Sequence, residues 1–203
     1  MSEALVAPAV ERNRDPILAV LRRVLPAHGS VLEIASGTGE HTAWFAEHLP
    51  GLVFQPSDLE ERQRRSIVAW AAQRSLANVQ PPLALDATAS QWQLPEPIAR
   101  DLVAVLCINM IHISPWDATL GLFRNVGKSL PAGGVLYLYG PYRRGGQHTA
   151  PSNVEFDRSL QARNPAWGVR ALEDVVGAAA AEGFRLAETL EMPANNLSVV
   201  LRR

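Results

Sequence analysis

The sequence is short of cysteine, of net charge and of long apolar runs, and each shortage closes off a class of function. Its one cysteine, Cys107, excludes an intrachain disulfide. That thiol lies in an apolar run and reads as a buried packing residue, which fits a reducing compartment, so the chain is expected to be cytoplasmic. Lys and Arg number 19 against 20 Asp and Glu, for a formal net charge of −1. That balance offers no electrostatic attraction to nucleic acid or to an anionic membrane, and neither is expected as a partner. The longest apolar run, residues 102–108, falls far below what a bilayer-spanning helix needs. The opening MSEALVAPAVERN has no basic start followed by an apolar core, so no secretory signal is expected. Five histidines are scattered without ligand spacing, and no metal is expected. No repeat or low-complexity tract interrupts the chain.

What is present is a 203-residue chain, 47% hydrophobic, long enough for one domain with a sizeable core. Apolar strand-like runs alternate with amphipathic helical stretches, the pattern of βαβ units and a mostly parallel sheet. Strands are expected at residues 31–35, 52–55, 83–85, 101–109 and 135–140. Two more, at 184–192 and 196–203, are joined by a turn so short that they must run antiparallel. Asp15 and Pro16 look like a helix start, with Ile17, Leu18, Leu21, Val24 and Leu25 on one face. Further helices are expected at about 40–49, 59–75, from Ser114 to before Pro131, and 171–182 with Gly183 closing the last. Residues 141–168, rich in Pro, Gly, Asn and Arg, break this rhythm and have little periodicity. They fall where open α/β sheets place ligand-covering structure.

Three acidic residues carry the chemistry. The string Glu33-Ile34-Ala35-Ser36-Gly37-Thr38-Gly39-Glu40-His41 lies between a strand and a helix. Gly37 and Gly39 allow a tight turn and close backbone approach to a ligand, beside the free N–H groups of a helix start. The full dinucleotide fingerprint wants a third glycine where this chain has Thr42, which speaks against a nicotinamide dehydrogenase. Glu33 is an acid in an apolar strand, a costly placement unless it is paired; it either meets a ligand or holds loop amides. Asp58 follows the glycine turn by about 20 residues, where an acid can accept both hydroxyls of a ribose or cap the next helix. Asp86 closes the third strand and can accept from an adenine amino group or simply make a turn. All three are expected at the carboxyl ends of successive strands, the ligand edge of an open α/β sheet.

These strings, with the terminal hairpin, resemble a class I S-adenosylmethionine-dependent methyltransferase. A closer likeness, to an uncharacterised methyltransferase-like family, rests on motifs at residues 11–18, 33–41, 55–58, 107–115, 139–142, 152–157, 163–170 and 192–196. The resemblance covers nearly the whole chain. It implies an α/β, Rossmann-like fold with a seven-stranded, mostly parallel sheet, a terminal antiparallel hairpin and helices on both faces. It also implies one domain over 1–203, in which residues 1–28 and the insertion 141–168 serve as lid and acceptor region. S-adenosylmethionine is the implied cofactor and S-adenosylhomocysteine its product. Glu33, Ser36, Gly37, Thr38, Gly39 and His41 would line the methionine portion, Asp58 the ribose, and Asp86 with Ala87 the adenine. Asn109 and Met110 would lie beneath the sulfonium.

On the acceptor side His112 comes first, three positions beyond Asn109. It is a general base, a pocket group or a structural residue. Tyr142, Asn153 and Arg163 are further acceptor-side candidates, and Arg12 and Asn13 can close over the cofactor. Where nucleic-acid and protein amino-group methylases show N-P-P-[FY], this chain has Asn109-Met110-Ile111-His112, which argues against amide and adenine acceptors. A small-molecule acceptor is therefore expected. The alternatives are a cofactor-binding regulatory protein without turnover and a methyltransferase acting on protein.

Overall fold

The computed structural model describes residues 3–203, so the first two residues of the expected lid segment lie outside the described residues. The chain divides into two compact units.

The first unit runs to Asp86 and resumes over Trp92–Leu106. Helix α1, Pro8–Val24, buries Val10, Ile17, Leu18, Val20, Leu21 and Val24 along one stripe. It begins two turns before the expected Asp15, leaving Pro16 inside the helix. A proline there withholds the N–H that the Arg12 carbonyl would accept. The early turns are held by side chains instead: Val10 is buried, Asn13 meets His41, and Ala7 donates its N–H to Glu40. Strand β1, Gly29–Ile34, pairs in parallel with β2, Leu52–Pro56, and Glu33 stands opposite Pro56. Between them lies α2, Glu40–His48. Helix α3, Glu61–Gln73, and the short α4, Glu96–Arg100, precede β3, Leu102–Ile108.

The expected strand at 83–85 is not formed. Leu83 makes an isolated bridge to Ser57, and Val79 another to Phe54. Pro81 and Pro82, between the two bridges, have no N–H with which to continue a ladder. The main sheet therefore has six strands where seven were expected, in the order β2-β1-β3-β4-β8-β7. It is mostly parallel, with antiparallel strands after β4.

The second unit comprises Ala87–Gln91 and Cys107–Arg203. A 3-10 turn, Met110–His112, follows β3. Helix α5, Trp116–Ser129, has Pro115 at its cap and no side-chain cap. The expected cap, Ser114, instead donates to the Met110 carbonyl at 2.8 Å. Strand β4, Val135–Gly140, is buried throughout. The stretch expected to be irregular holds a two-residue hairpin, β5 Arg143–Arg144 with β6 Gln147–His148, and then α6, Pro151–Arg163. Only Asn153 and Leu160 of α6 are buried, so its sequence has no apolar stripe to reveal it. Helix α7, Leu172–Ala181, leads to β7, Arg185–Met192, and β8, Asn196–Arg202. These two pair antiparallel, as expected, and β8 pairs antiparallel with β4.

Candidate functional site

In the first unit Glu33, Ser36, Gly37, Thr38, Gly39 and His41 lie at the end of β1, in the turn after it and at the start of α2, and Asp58 lies just past β2. Glu33 is 2% exposed, and its carboxylate accepts the Thr42 hydroxyl. Burial pushes its pKa up to about 7, against the Thr42 and Ser36 hydrogen bonds; Asp58 adds a smaller push. Near neutrality Glu33 is thus poised between acid and carboxylate, and a neighbouring cation would favour the charged form. The Glu33 carbonyl accepts the Ser57 hydroxyl at 2.7 Å, and the Ser36 N–H donates to the Ser57 carbonyl at 2.8 Å. These bonds weave the loop after β1 to the loop after β2. Asp58 ties the same loops through Oδ2, which accepts the Gly37 N–H, while Oδ1 accepts the Glu60 N–H within its own loop, each at 2.9 Å.

The turn itself is sterically constrained. Gly39 has φ 81°, and a Cβ there would lie 2.6 Å from Ile67 on α3. Ala35, also at positive φ, is a non-glycine residue in a region that disfavours side chains. A Cβ on Gly37, by contrast, would meet nothing within 4 Å. Thr38 is held through its carbonyl by the Ser66 hydroxyl, which also accepts the Leu5 N–H. Ser66 thereby joins the segment before α1 to the glycine turn; being an ordinary polar residue of a helix, it left no signal in the sequence. His41 is buried, 2.8 Å from the Asn13 side chain. Burial and, second, the Arg14 charge lower its pKa to about 4. Asn13 is thus engaged by His41, Arg12 is exposed, and Asp86 is exposed at the end of the unit.

The remaining cofactor candidates Ala87, Asn109 and Met110 fall in the second unit, as do the acceptor-side candidates His112, Tyr142, Asn153 and Arg163. Asn109 has φ 64° and donates its N–H to the Tyr139 carbonyl at 2.8 Å. Met110 and Ala87 are buried, and the Ala87 carbonyl lies against Gly121 of α5. His112 and Tyr142 are wholly inaccessible and meet edge to face, with ring centroids 4.9 Å apart. His112 Nε2 and the Tyr142 hydroxyl are both buried without a hydrogen-bond partner. Burial, then Arg170, push the His112 pKa down to about 3, and a hydrogen bond to the Gly168 backbone opposes the shift. The ring is a neutral imidazole at pH 7. A Cβ on Gly140 would stand 2.4 Å from His112 Nε2, so no side chain fits there.

Asn153 bridges α6 to the hairpin turn, donating to the Thr149 hydroxyl and the Asn195 carbonyl, each at 3.0 Å. Arg163 is exposed at the end of α6, 5.8 Å from the Trp167 ring. Arg170 is a residue that sequence reasoning did not single out. Its guanidinium donates to the carbonyls of Ile111 at 3.0 Å, Ser114 at 2.7 Å and Ala166 at 2.9 Å. Its only signal was its place at the end of the motif at 163–170. Among the described residues no cluster of three or more His, Cys, Asp or Glu has the arrangement to hold a metal. No helix of the described residues is long and apolar enough to cross a membrane.

The pattern of a family described as "Protein of unknown function (DUF938)" matches residues 4–203. Among solved structures, the chain is similar to the mitomycin 7-O-methyltransferase MmcR, at 16% identity and a TM-score of 0.75, over 92% of this chain and 53% of that one. It is similar to the S-adenosylmethionine-dependent methyltransferase SibL in its apo form, at 17% identity and a TM-score of 0.76, over 96% and 55%. A third likeness is to CalO1, a methyltransferase in calicheamicin biosynthesis, in its SAH-bound form, at 16% identity and a TM-score of 0.71, over 93% and 53%. The chain spans about half the length of these proteins. At such identities the likeness shows the fold, which is that of the class I methyltransferases.

Proposed function

We propose that this chain, which belongs to the DUF938 family of proteins of unknown function, is an S-adenosylmethionine-dependent methyltransferase acting on a small-molecule acceptor. The observation that carries the reading is Glu33, a buried carboxyl beside a glycine turn at the end of β1, in a fold shared with methyltransferases. The strand order reverses at β1, and open α/β sheets bind ligands outside the carboxyl ends of strands at such a point.

The residues present fit the cofactor. The space beyond Gly37 is open where a side chain would stand, and Glu33 is a buried acid in want of a cation. Glu33, Ser36, Gly37, Thr38, Gly39 and His41 would hold the methionine portion, whose ammonium group answers Glu33. Asp58 would exchange its Gly37 contact for the ribose hydroxyls, and Asp86 with Ala87 would flank the adenine. Asn109 and Met110 would face the sulfur. When bound, the cofactor supplies an electrophilic methyl group on a sulfonium. The chain's part is then to align the acceptor in line with that methyl and to exclude water.

In the second unit His112 Nε2 and the Tyr142 hydroxyl are among the buried polar atoms without a hydrogen-bond partner, with Thr119 Oγ1, Arg143 Nε and His148 Nδ1, and unmade hydrogen bonds are what a ligand can satisfy. Arg12 and Asn13 lie within α1 and not ahead of it, so Asn13 would act on the cofactor side through its contact with His41. Asn153 and Arg163 would act through α6, the first by holding it to the hairpin turn. A small acceptor is favoured by the near-neutral charge and by likeness to proteins such as the mitomycin 7-O-methyltransferase. The test is incorporation of labelled methyl from the cofactor into a panel of phenols, carboxylates, amines and thiols. A labelled product from one class supports the reading; none from any class, nor from a metabolite extract, overturns it in favour of binding without turnover.

A further inference from the structure

Away from the cofactor and acceptor candidates, the second unit holds a cavity of about 600 Å³, lined by Trp116 of α5, Arg143 of β5, Arg170 and the first turns of α7. The backbone sets the two arginines side by side. The Arg143 N–H donates to the Arg170 carbonyl at 2.9 Å, and Arg143 bridges in parallel to Ala171. Alternation along a strand sends neighbouring side chains to opposite faces. Arg144 accordingly pairs with Glu191 at 3.6 Å, whereas Arg143 lines the cavity. Among the described residues the Arg143 guanidinium makes no hydrogen bond and no ion pair, and its Nε is buried. Arg170 makes no ion pair among them either. Its Nε and Nη2 are spent on the carbonyls of Ile111, Ser114 and Ala166, which fix the guanidinium and leave Nη1 for another partner. Burial lowers the Arg170 pKa from its ordinary value, Asp157 opposes this, and the like charge of Arg143 adds to it.

Glu173 and Asp174 also line the cavity, yet among the described residues neither pairs with an arginine there. Glu173 accepts the Gly145 N–H at 2.9 Å instead. Both acids stand in the first turn of α7, where the free N–H groups of a helix start stabilise negative charge. Their charges also repel a dianion more strongly than a monoanion. The rest of the lining is apolar and poor in side chains. Trp116 is half-buried with the Arg170 guanidinium 5.6 Å from its ring centroid, and Gly177 and Ala178 lie on α7. A Cβ on Gly177 would meet nothing within 4 Å.

An unpaired, partly buried guanidinium forgoes the charge-assisted bonds that its planar fork makes with a carboxylate. We propose that this cavity is a binding site for a small aromatic carboxylate, gripped at its charged end by Arg143 and Arg170, with its ring between Trp116 and the Gly177 face of α7. The ligand binds whether or not the chain transfers a methyl group, so the site stands apart from the reading above.

The test is fluorine NMR of para-fluorobenzoate titrated into the full chain, with para-fluorobenzamide as its uncharged counterpart and para-fluorophenyl phosphate as the dianion. The wild type is expected to bind the carboxylate saturably and about tenfold more tightly than the amide. Arg143→Gln removes a guanidinium that the fold does not use, and is expected to weaken the carboxylate by about tenfold. Gly177→Leu fills the open space and replaces glycine with a better helix former. It is expected to abolish binding with no loss of stability in a thermal melt. Arg144→Gln, in the same hairpin but off the cavity, is expected to hold binding within about twofold of the wild type. Absence of para-fluorobenzoate binding to the wild type overturns the proposal. So does equal binding of the amide, tighter binding of the phosphate, affinity unchanged in a folded Arg143→Gln or Gly177→Leu, or an equal loss in Arg144→Gln.

Discussion

Glu33 is buried in a strand whose other residues pack an apolar core, and it is tolerated there near neutrality because it can keep its proton. Its folded pKa, about 7, lies above the ordinary 4.5. Stability from the bound proton is therefore fully present below pH 4.5 and is lost as pH rises through 7. Glu33→Gln removes the charge that the wild type must bury. At pH 8 the variant is expected to be more stable by up to about 3 kcal/mol, with little difference at pH 5, as read by urea melts at both pH values. An equal difference at both would refute the buried proton. Gly140 poses a steric question instead. Gly140→Ala sets a methyl 2.4 Å from His112 Nε2 and is expected to cost about 1–3 kcal/mol. Most of that cost should vanish in the His112→Ala background; additive costs in a double-mutant cycle would show that the two do not touch. Glu33 was conspicuous in the sequence because an acid in an apolar run has few explanations. Gly140 and Arg170 were not, since their roles depend on neighbours distant in sequence.

At the scale of elements, legibility followed apolar pattern. Strands β1, β3 and β4 and the β7–β8 hairpin were readable because unbroken or closely joined apolar runs leave few alternatives. The apolar residues of 83–85 read as a strand, but Pro81 and Pro82 supply no N–H groups to extend the isolated bridges into a ladder. Asp15-Pro16 imitates a helix start, whereas the burial of Val10 and Asn13 carries α1 two turns further back. Helix α6 went unseen for the opposite reason: it has few buried residues and so no stripe. Such a helix depends on particular bonds, and Asn153 makes two of them. Asn153→Ala is expected to cost about 1–2 kcal/mol and to speed amide exchange within α6 ahead of β4. Uniform exchange across both elements would contradict this.

Over the whole molecule, burial sets three titrations against one another. His41 and His112 are neutral in the fold, with pKa values lowered to about 4 and about 3, so each contributes stability above pH 6.5 that is lost as pH falls through its folded pKa. Glu33 acts in the opposite sense. Between about pH 5 and 6 the unfolded chain approaches two protons on these histidines, against one on Glu33 in the fold. Stability should therefore fall on acidification by up to about 1.4 kcal/mol per pH unit, and more steeply in Glu33→Gln. Melting temperatures across this range check the slope, and a flat profile would contradict it. The candidate cofactor edge was legible because Glu33, the glycine turn and Asp58 are spaced by the fold's own topology. The acceptor side was legible only as a neighbourhood, because His112 meets Arg170 across a separation of 58 residues in sequence.

The most direct test of the central claim is isothermal titration of the chain with S-adenosylmethionine and with S-adenosylhomocysteine, at pH 6 and pH 8, beside Asp58→Ala and Glu33→Gln. The account predicts saturable binding of both ligands, tighter at pH 8 than at pH 6 because Glu33 must ionise to meet the ammonium group. Binding should be lost in a folded Asp58→Ala, and its dependence on pH lost in Glu33→Gln. No heat from either ligand with folded wild-type protein would contradict it.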